Sequence, residues 1–248
     1  MPINYIWVGI LSGVIAGYLV NYLSDVLPFT RRFSHPFCLK CQKEISWKDY
    51  LFWRRCKQCQ STRALRTFLV EIFYLVALPY LWLRPSNHLG FAAGAVLLVF
   101  FGIIVVIDLE HRLVLHPVSL TGAVLGLAIG IWLHGIWVTL LGGAAGFGIM
   151  LALYYLGDAF ARWMARRRGQ SMDEVALGFG DVNLSGIVGL LLGWPGVVVG
   201  LIAAIIVGGM VSLLYLVFMF ISRNYRPFAA IPYAPFLVLG ATIFLYIL

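Results

Sequence analysis

The chain has 248 residues, 62% of them hydrophobic and 11% charged, with 18 Lys and Arg against 10 Asp and Glu. With a mean hydropathy of +0.93, it carries too little charge to cover the surface of a soluble domain of this length, so composition points to an integral membrane protein. The apolar stretches are long and continuous, which favours helices over the short alternating segments of a barrel.

In chain order, the apolar runs predict eight membrane helices, at 4–23, 68–83, 89–107, 118–134, 137–156, 183–193, 196–221 and 228–248. The first, within "NYIWVGILSGVIAGYLVNYL", lacks a basic leading region and is long enough to span, so it reads as a membrane helix and not as a cleavable signal. The sixth is short, and only "HGIW" separates the fourth from the fifth. Glycines such as Gly142, Gly143, Gly146 and Gly148 are expected to permit close helix contact. The fold class is therefore all-α and polytopic. Residues 1–28 form a first transmembrane helix, 29–67 a small extramembrane insert, and 68–248 a second transmembrane region.

A sequence pI near 9.5 raises the question of nucleic acid, but the placement of the charges answers it. Ten of the 18 Lys and Arg lie between Arg31 and Arg66, four more are Arg162, Arg166, Arg167 and Arg168, and Arg223 and Arg226 mark a third segment. Placing 29–67 in the cytoplasm puts 17 basic residues inside and only Arg84 outside. This is the positive-inside bias, with both termini outside and no role for nucleic acid.

The insert holds all four cysteines, Cys38, Cys41, Cys56 and Cys59, as two CxxC pairs separated by 14 residues. That spacing suits a tetrahedral Zn2+ held by four thiolates. A segment of 39 residues builds little core, so metal would supply its folding energy. Cytoplasmic placement argues against resting disulfides. Catalytic or redox use of the thiols is the competing reading.

Two acids stand at the ends of apolar runs. Asp108 in "VVIDLEHRLVLHP" follows the third span, and Asp181 in "ALGFGDVNLSG" precedes the sixth, both on the cytoplasmic side of this topology. An ionisable group at a membrane edge is a functional-site hypothesis by default. Two carboxyls at one site cannot both ionise easily, so one serves as acid and the other as base toward a water. Gly178 and Gly180 would let backbone approach a substrate strand near Asp181. The plainer reading of each acid is a helix cap or a solvated loop residue. Glu110, His111, Asp173 and Glu174 are nearby polar residues read as interfacial.

At these residues the chain resembles a family. "GFGD" is similar to the GxGD signature of membrane aspartyl proteases, and "IDLEH" to the partner motif of the type IV prepilin peptidases. "IPYAPFLVLG" resembles that family's IPFGPFL segment. "CLKC…CKQC" followed by "RTFLVEI" resembles its cysteine domain and RYPLVEL, and "AGYLVNYLSDVLP" is a weaker echo of its GSFLNVVIYRLP opening.

The resemblance implies an enzyme of the bacterial cytoplasmic (inner) membrane. It would remove the short basic leader of prepilins or pseudopilins, with Asp108 and Asp181 as its catalytic pair. In bifunctional members the new N-terminus is also methylated with S-adenosylmethionine. Departures are Leu115 and His116 where the family shows an LPD motif, Asn183 at a usual lysine, and Val26 at a usual arginine. The stretch between the cysteine pairs is short, and no Gly-rich nucleotide loop marks a methyl-donor site, for which Asp49 and Glu71 are the candidates. Glu110, Asp173 and Glu174 are available to meet a basic leader. The rivals are a peptidase without methyl transfer, a transporter or scaffold using the two acids as a proton relay, and a presenilin-like protease acting on unrelated helices.

Overall fold

The computed structural model describes residues 5–168, 178–222 and 232–246. Nine helices are present among them: α1 Ile6–Thr30, α2 Trp47–Leu51, α3 Leu65–Leu83, α4 Gly90–His111, α5 His116–His134, α6 Ile136–Arg168, α7 Phe179–Leu192, α8 Gly196–Ile221 and α9 Ala234–Tyr246. Among the described residues the only extended pairing is an isolated bridge between Phe37 and Glu44.

Six helices (α1, α3, α4, α5, α6 and α8) are long and apolar enough to cross a membrane. The chain is thus all-α with a multi-pass character. The remaining two apolar helices have 14 and 13 described residues. At 1.5 Å per residue α7 is about 21 Å long, short of a hydrocarbon core of about 30 Å.

The largest departure from the sequence reading is α6. An end near residue 156 is expected where charge begins, yet the helix runs to Arg168. "DAFARWMARRR" is rich in good helix formers, so the backbone continues after the apolar stretch ends. An Asp158–Arg162 pair at 2.6 Å and the Arg167 guanidinium 4.1 Å above Trp163 line this extension.

The chain divides into two compact units, Met1–Leu115 and His116–Leu248. In the first, α1 and α3 pack antiparallel along a glycine stripe. A Cβ at Gly9 would stand 2.8 Å from the Pro79 Cα, and one at Gly13 would stand 2.6 Å from the Tyr74 carbonyl oxygen. One at Gly17 would collide with the Glu71 carboxyl. The Tyr74 hydroxyl donates to the Leu98 carbonyl at 2.8 Å, which ties α3 to α4.

In the second unit α7 is the central helix, held between α5 and α6. Gly126 and Gly130 of α5 meet Ile187 and Leu190 in the same chain direction, so α5 and α7 run parallel. Gly142 and Gly146 of α6 press on Gly189 and Ser185. Small residues let backbones approach where lipid supplies no hydrophobic drive. Gly148, expected in the same role, has nothing within 4 Å of its Cβ position. It lies on the other side of α6, since six residues separate it from Gly142 and a helix repeats every 3.6.

Candidate active site and metal centre

The two CxxC pairs form matching knuckles. The Gln42 N–H donates to the Cys38 carbonyl at 2.8 Å, and the Gln60 N–H to the Cys56 carbonyl at 2.9 Å. Gln42 and Gln60 both take left-handed φ, 58° and 54°. Each turn thereby points its two sulfurs one way. The four Sγ atoms lie within 4.8 Å of one another, with Cys38–Cys59 at 3.5 Å and Cys41–Cys56 at 3.7 Å. A tetrahedral ion with metal–sulfur bonds of about 2.3 Å requires sulfurs about 3.8 Å apart. Donor set and spacing therefore fit a metal ion such as zinc.

The thiols are electrostatically unequal. Burial opposes ionisation of Cys38, but hydrogen bonds from Ser61 and from the Cys41 and Lys40 backbone outweigh it and bring the thiol down to about 6. At Cys41 the Lys43 backbone favours the thiolate, while desolvation and the neighbouring sulfurs overcome it and lift the thiol to about 11. Four sulfurs this close cannot all ionise alone; a divalent cation removes the conflict.

Beside the knuckles lies a buried ionic network that the sequence reading missed. Asp25 on α1, 2% exposed, accepts from the Tyr50 hydroxyl at 2.8 Å, from Arg63 at 3.4 Å and from Arg66. The Arg63 guanidinium stacks 3.8 Å above the Tyr50 ring. Burial, with the charge of Asp25, pushes the Tyr50 phenol well above its usual range, so it stays a donor. Arg66 also faces Glu110 of α4, Nε to Oε1, at 2.9 Å. That contact lies off the N–H axis and acts as an ion pair. The available signal was an acid near the end of one span and two arginines three apart before the next.

Asp108 sits inside the last turn of α4, not beyond it, and is buried. Its carbonyl accepts from the Arg112 N–H at 2.9 Å, with Arg112 in the left-handed conformation at φ 53° closing the helix. Glu110, expected to be open to a basic leader, is partnered by Arg66. Asp173 and Glu174 lie outside the described residues.

In the second unit, Asp181 occupies the first turn of α7 and is also buried. Gly178 is the residue before the helix, and its carbonyl accepts from the Asp181 N–H at 3.0 Å. A Cβ at Gly178 would stand 3.5 Å from Asp181 Oδ2, an ordinary contact, so glycine leaves that side of the carboxyl open. Gly180 is partly exposed within the same turn. Tyr233, of the "IPYAPF" stretch, lies within electrostatic reach of Asp181. The same unit holds a groove of about 820 Å³ between α5, α6 and α7. It is lined by His116, Ser119 and Asn183 at the starts of the parallel helices, and by Gly143, Gly186 and Leu190 further along.

The two residues singled out for a methyl donor lie in different surroundings. Asp49 pairs with Lys57 at 3.0 Å and Arg54 at 3.6 Å. Glu71 is buried in the α1–α3 seam against Gly17, where a bulky ligand has no room.

Neither the curated proteins nor the solved structures provide a match to this chain. The family comparison does, over residues 95–213, a segment that contains Asp108, Asp181, α5, α6 and α7. That segment matches the type IV leader peptidase family.

Proposed function

We propose that this protein is a membrane aspartyl endopeptidase that removes the leader of type IV prepilins or prepilin-like proteins, with Asp108 and Asp181 as its acid–base pair. The observation that carries this is the family match across the segment bearing both acids, each buried at the end of an apolar helix. Asp181 lies at the positive end of the α7 dipole, which suits the carboxylate that takes a proton from water. Asp108 then protonates the leaving amine. No covalent intermediate is needed.

The groove of the second unit is apolar along α5 and α7 and polar at their starts, where Asn183 of α7 lines it. It suits a substrate that is an apolar helix preceded by a polar leader. The basic segments support a topology with the cysteine insert and both acids on the cytoplasmic face of a bacterial inner membrane. Zinc is the metal that best suits four thiolates in two knuckles, in a structural role.

The test is cleavage of a purified prepilin by the full chain in lipid, with Asp108→Asn and Asp181→Asn in parallel. Each substitution is expected to lower kcat at least about a hundredfold, the scale of a lost general acid or base. Full cleavage by either variant overturns the pair. Mass spectrometry of the product reads the cut site, and a 14-dalton increment from methylene addition would reveal N-methylation by S-adenosylmethionine, the second activity that the family resemblance implies.

A further inference from the structure

The last turn of α4 is held from two sides by residues of the cysteine insert and of α1. One tie is polar: Tyr50, between the two knuckles, donates to Asp25, Asp25 holds Arg66, and Arg66 faces Glu110 at 2.9 Å. The other is aromatic. Phe37, next to Cys38, meets Phe29 edge-on at 5.5 Å, and Phe29 meets His111 edge-on at 5.4 Å. Glu110 and His111 are the second and third residues after Asp108 on the same helical turn.

Stability alone is a poor account of the polar tie. Asp25, Arg63 and Arg66 are taken largely out of water, with side chains 2%, 11% and 15% exposed. Arg63 Nη2 and Arg66 Nη1 are buried without a hydrogen-bond partner among the described residues. Well-packed apolar residues in such places are often neutral or stabilising by comparison. What an ion network provides and an apolar patch does not is a fixed direction. Arg66 has one carboxylate on α1 and another on α4, so its guanidinium sets where the end of α4 lies relative to α1.

We propose that the metal knuckle braces Asp108, with Arg66 as the positioning residue that carries order from Tyr50 and Asp25 through Glu110 to the last turn of α4. This rests on the peptidase reading for its catalytic consequence but not for its structural content. The knuckle touches no reacting atom; it holds the helix end from which Asp108 projects. Loss of the metal therefore lowers turnover by loosening that turn. Misplacement of a catalytic group by about 1 Å costs on the order of a hundredfold in rate.

The experiment uses the full chain in lipid nanodiscs, as wild type, Arg66→Ala, Arg66→Lys, Glu110→Gln and zinc-stripped wild type. Two readouts are taken: steady-state cleavage of a synthetic prepilin with a basic leader, and hydrogen exchange of the Arg112 amide that closes on Asp108. Arg66→Ala and metal removal are expected to lower kcat about ten- to a hundredfold, with KM within about twofold. Exchange at Arg112 is expected to rise by about tenfold or more, and Arg66→Lys to recover part of both losses because it keeps the charge.

Glu110→Gln removes only one charge on a half-exposed residue and keeps the test open if Arg66→Ala does not fold. It should move both readouts in the same direction. Unchanged kcat and unchanged exchange in Glu110→Gln, or exchange at Arg112 indifferent to the metal, overturns the brace. If the wild type cuts no prepilin, the peptidase reading falls by itself, and the exchange at Arg112 still decides the brace.

Discussion

Gly17 on α1 faces the carboxyl of Glu71 on α3 with no space between them for a methyl group. Four residues earlier, Gly13 faces the Tyr74 carbonyl oxygen, with a Cβ placed 2.6 Å from it. The two crowded glycines differ in what stands opposite. The Glu71 carboxyl is the far end of a flexible side chain and can swing aside, whereas the Tyr74 carbonyl belongs to the α3 backbone and moves only with the whole helix. Gly13→Ala should therefore destabilise the protein by about 1–3 kcal/mol, the usual cost of overpacking. Gly17→Ala should cost distinctly less. Thermal unfolding in one detergent checks the order.

On α7, Gly189 packs against the Gly142 backbone of α6, with the Gly142 carbon of the carbonyl 2.8 Å from its Cβ position. Gly189→Val should part α6 from α7 at an overpacking cost of about 1–3 kcal/mol. Because Asp181 rides on the same helix, cleavage should fall along with the unfolding temperature. Gly148→Val, on the open side of α6, should leave both unchanged, and the pair of variants reports whether the seam or mere bulk matters.

The cysteine centre should bind one zinc ion per chain, and Cys38→Ser or Cys56→Ser should abolish stoichiometric binding. Acidity should weaken it in a defined way. Cys38 has a folded-state value lowered to about 6, so its thiolate is present above that pH and is lost as pH falls through it. Above about 6, binding releases a proton from Cys41, whose thiol is lifted to about 11, but none from Cys38. Below it, Cys38 adds one more, and the plot of log affinity against pH should steepen by about one unit of slope. Chelator competition between pH 5 and 8 measures this, and a constant slope through that range contradicts the assignment.

Tyr50→Phe removes a donor from Asp25 while keeping the ring under Arg63. A hydrogen bond to a charged group contributes about 1.5–3 kcal/mol. The variant should lose stability on that scale and retain its metal, because no cysteine contact is changed. Tyr50→Leu should lose more, since the stacked Arg63 guanidinium also loses its aromatic face.

How much of this was legible in the sequence follows from the range of each interaction. Membrane helices are written in composition over short windows, and their order, the CxxC knuckles and the placing of two acids at the ends of apolar runs all follow from local runs of residues. "CLKC" and "CKQC" needed only their spacing, because each knuckle closes within a few residues. The end of α6 at Arg168 was misread because charge marks where lipid ends, not where a helix ends. Arg66 was one more basic residue in a polar segment, and Glu110 an interfacial acid; nothing local says that Asp25, 41 residues before Arg66, turns them into a network.

Sequence alone therefore determined the solvent for this chain, the class of its elements and the chemical types at its ends, since these depend on transfer free energies and local geometry. Tertiary structure decided which helix faces which. Helices apolar on every side carry no stripe to reveal a partner, and the α1–α3 and α6–α7 seams are chosen by shape, where glycine lets one backbone reach another.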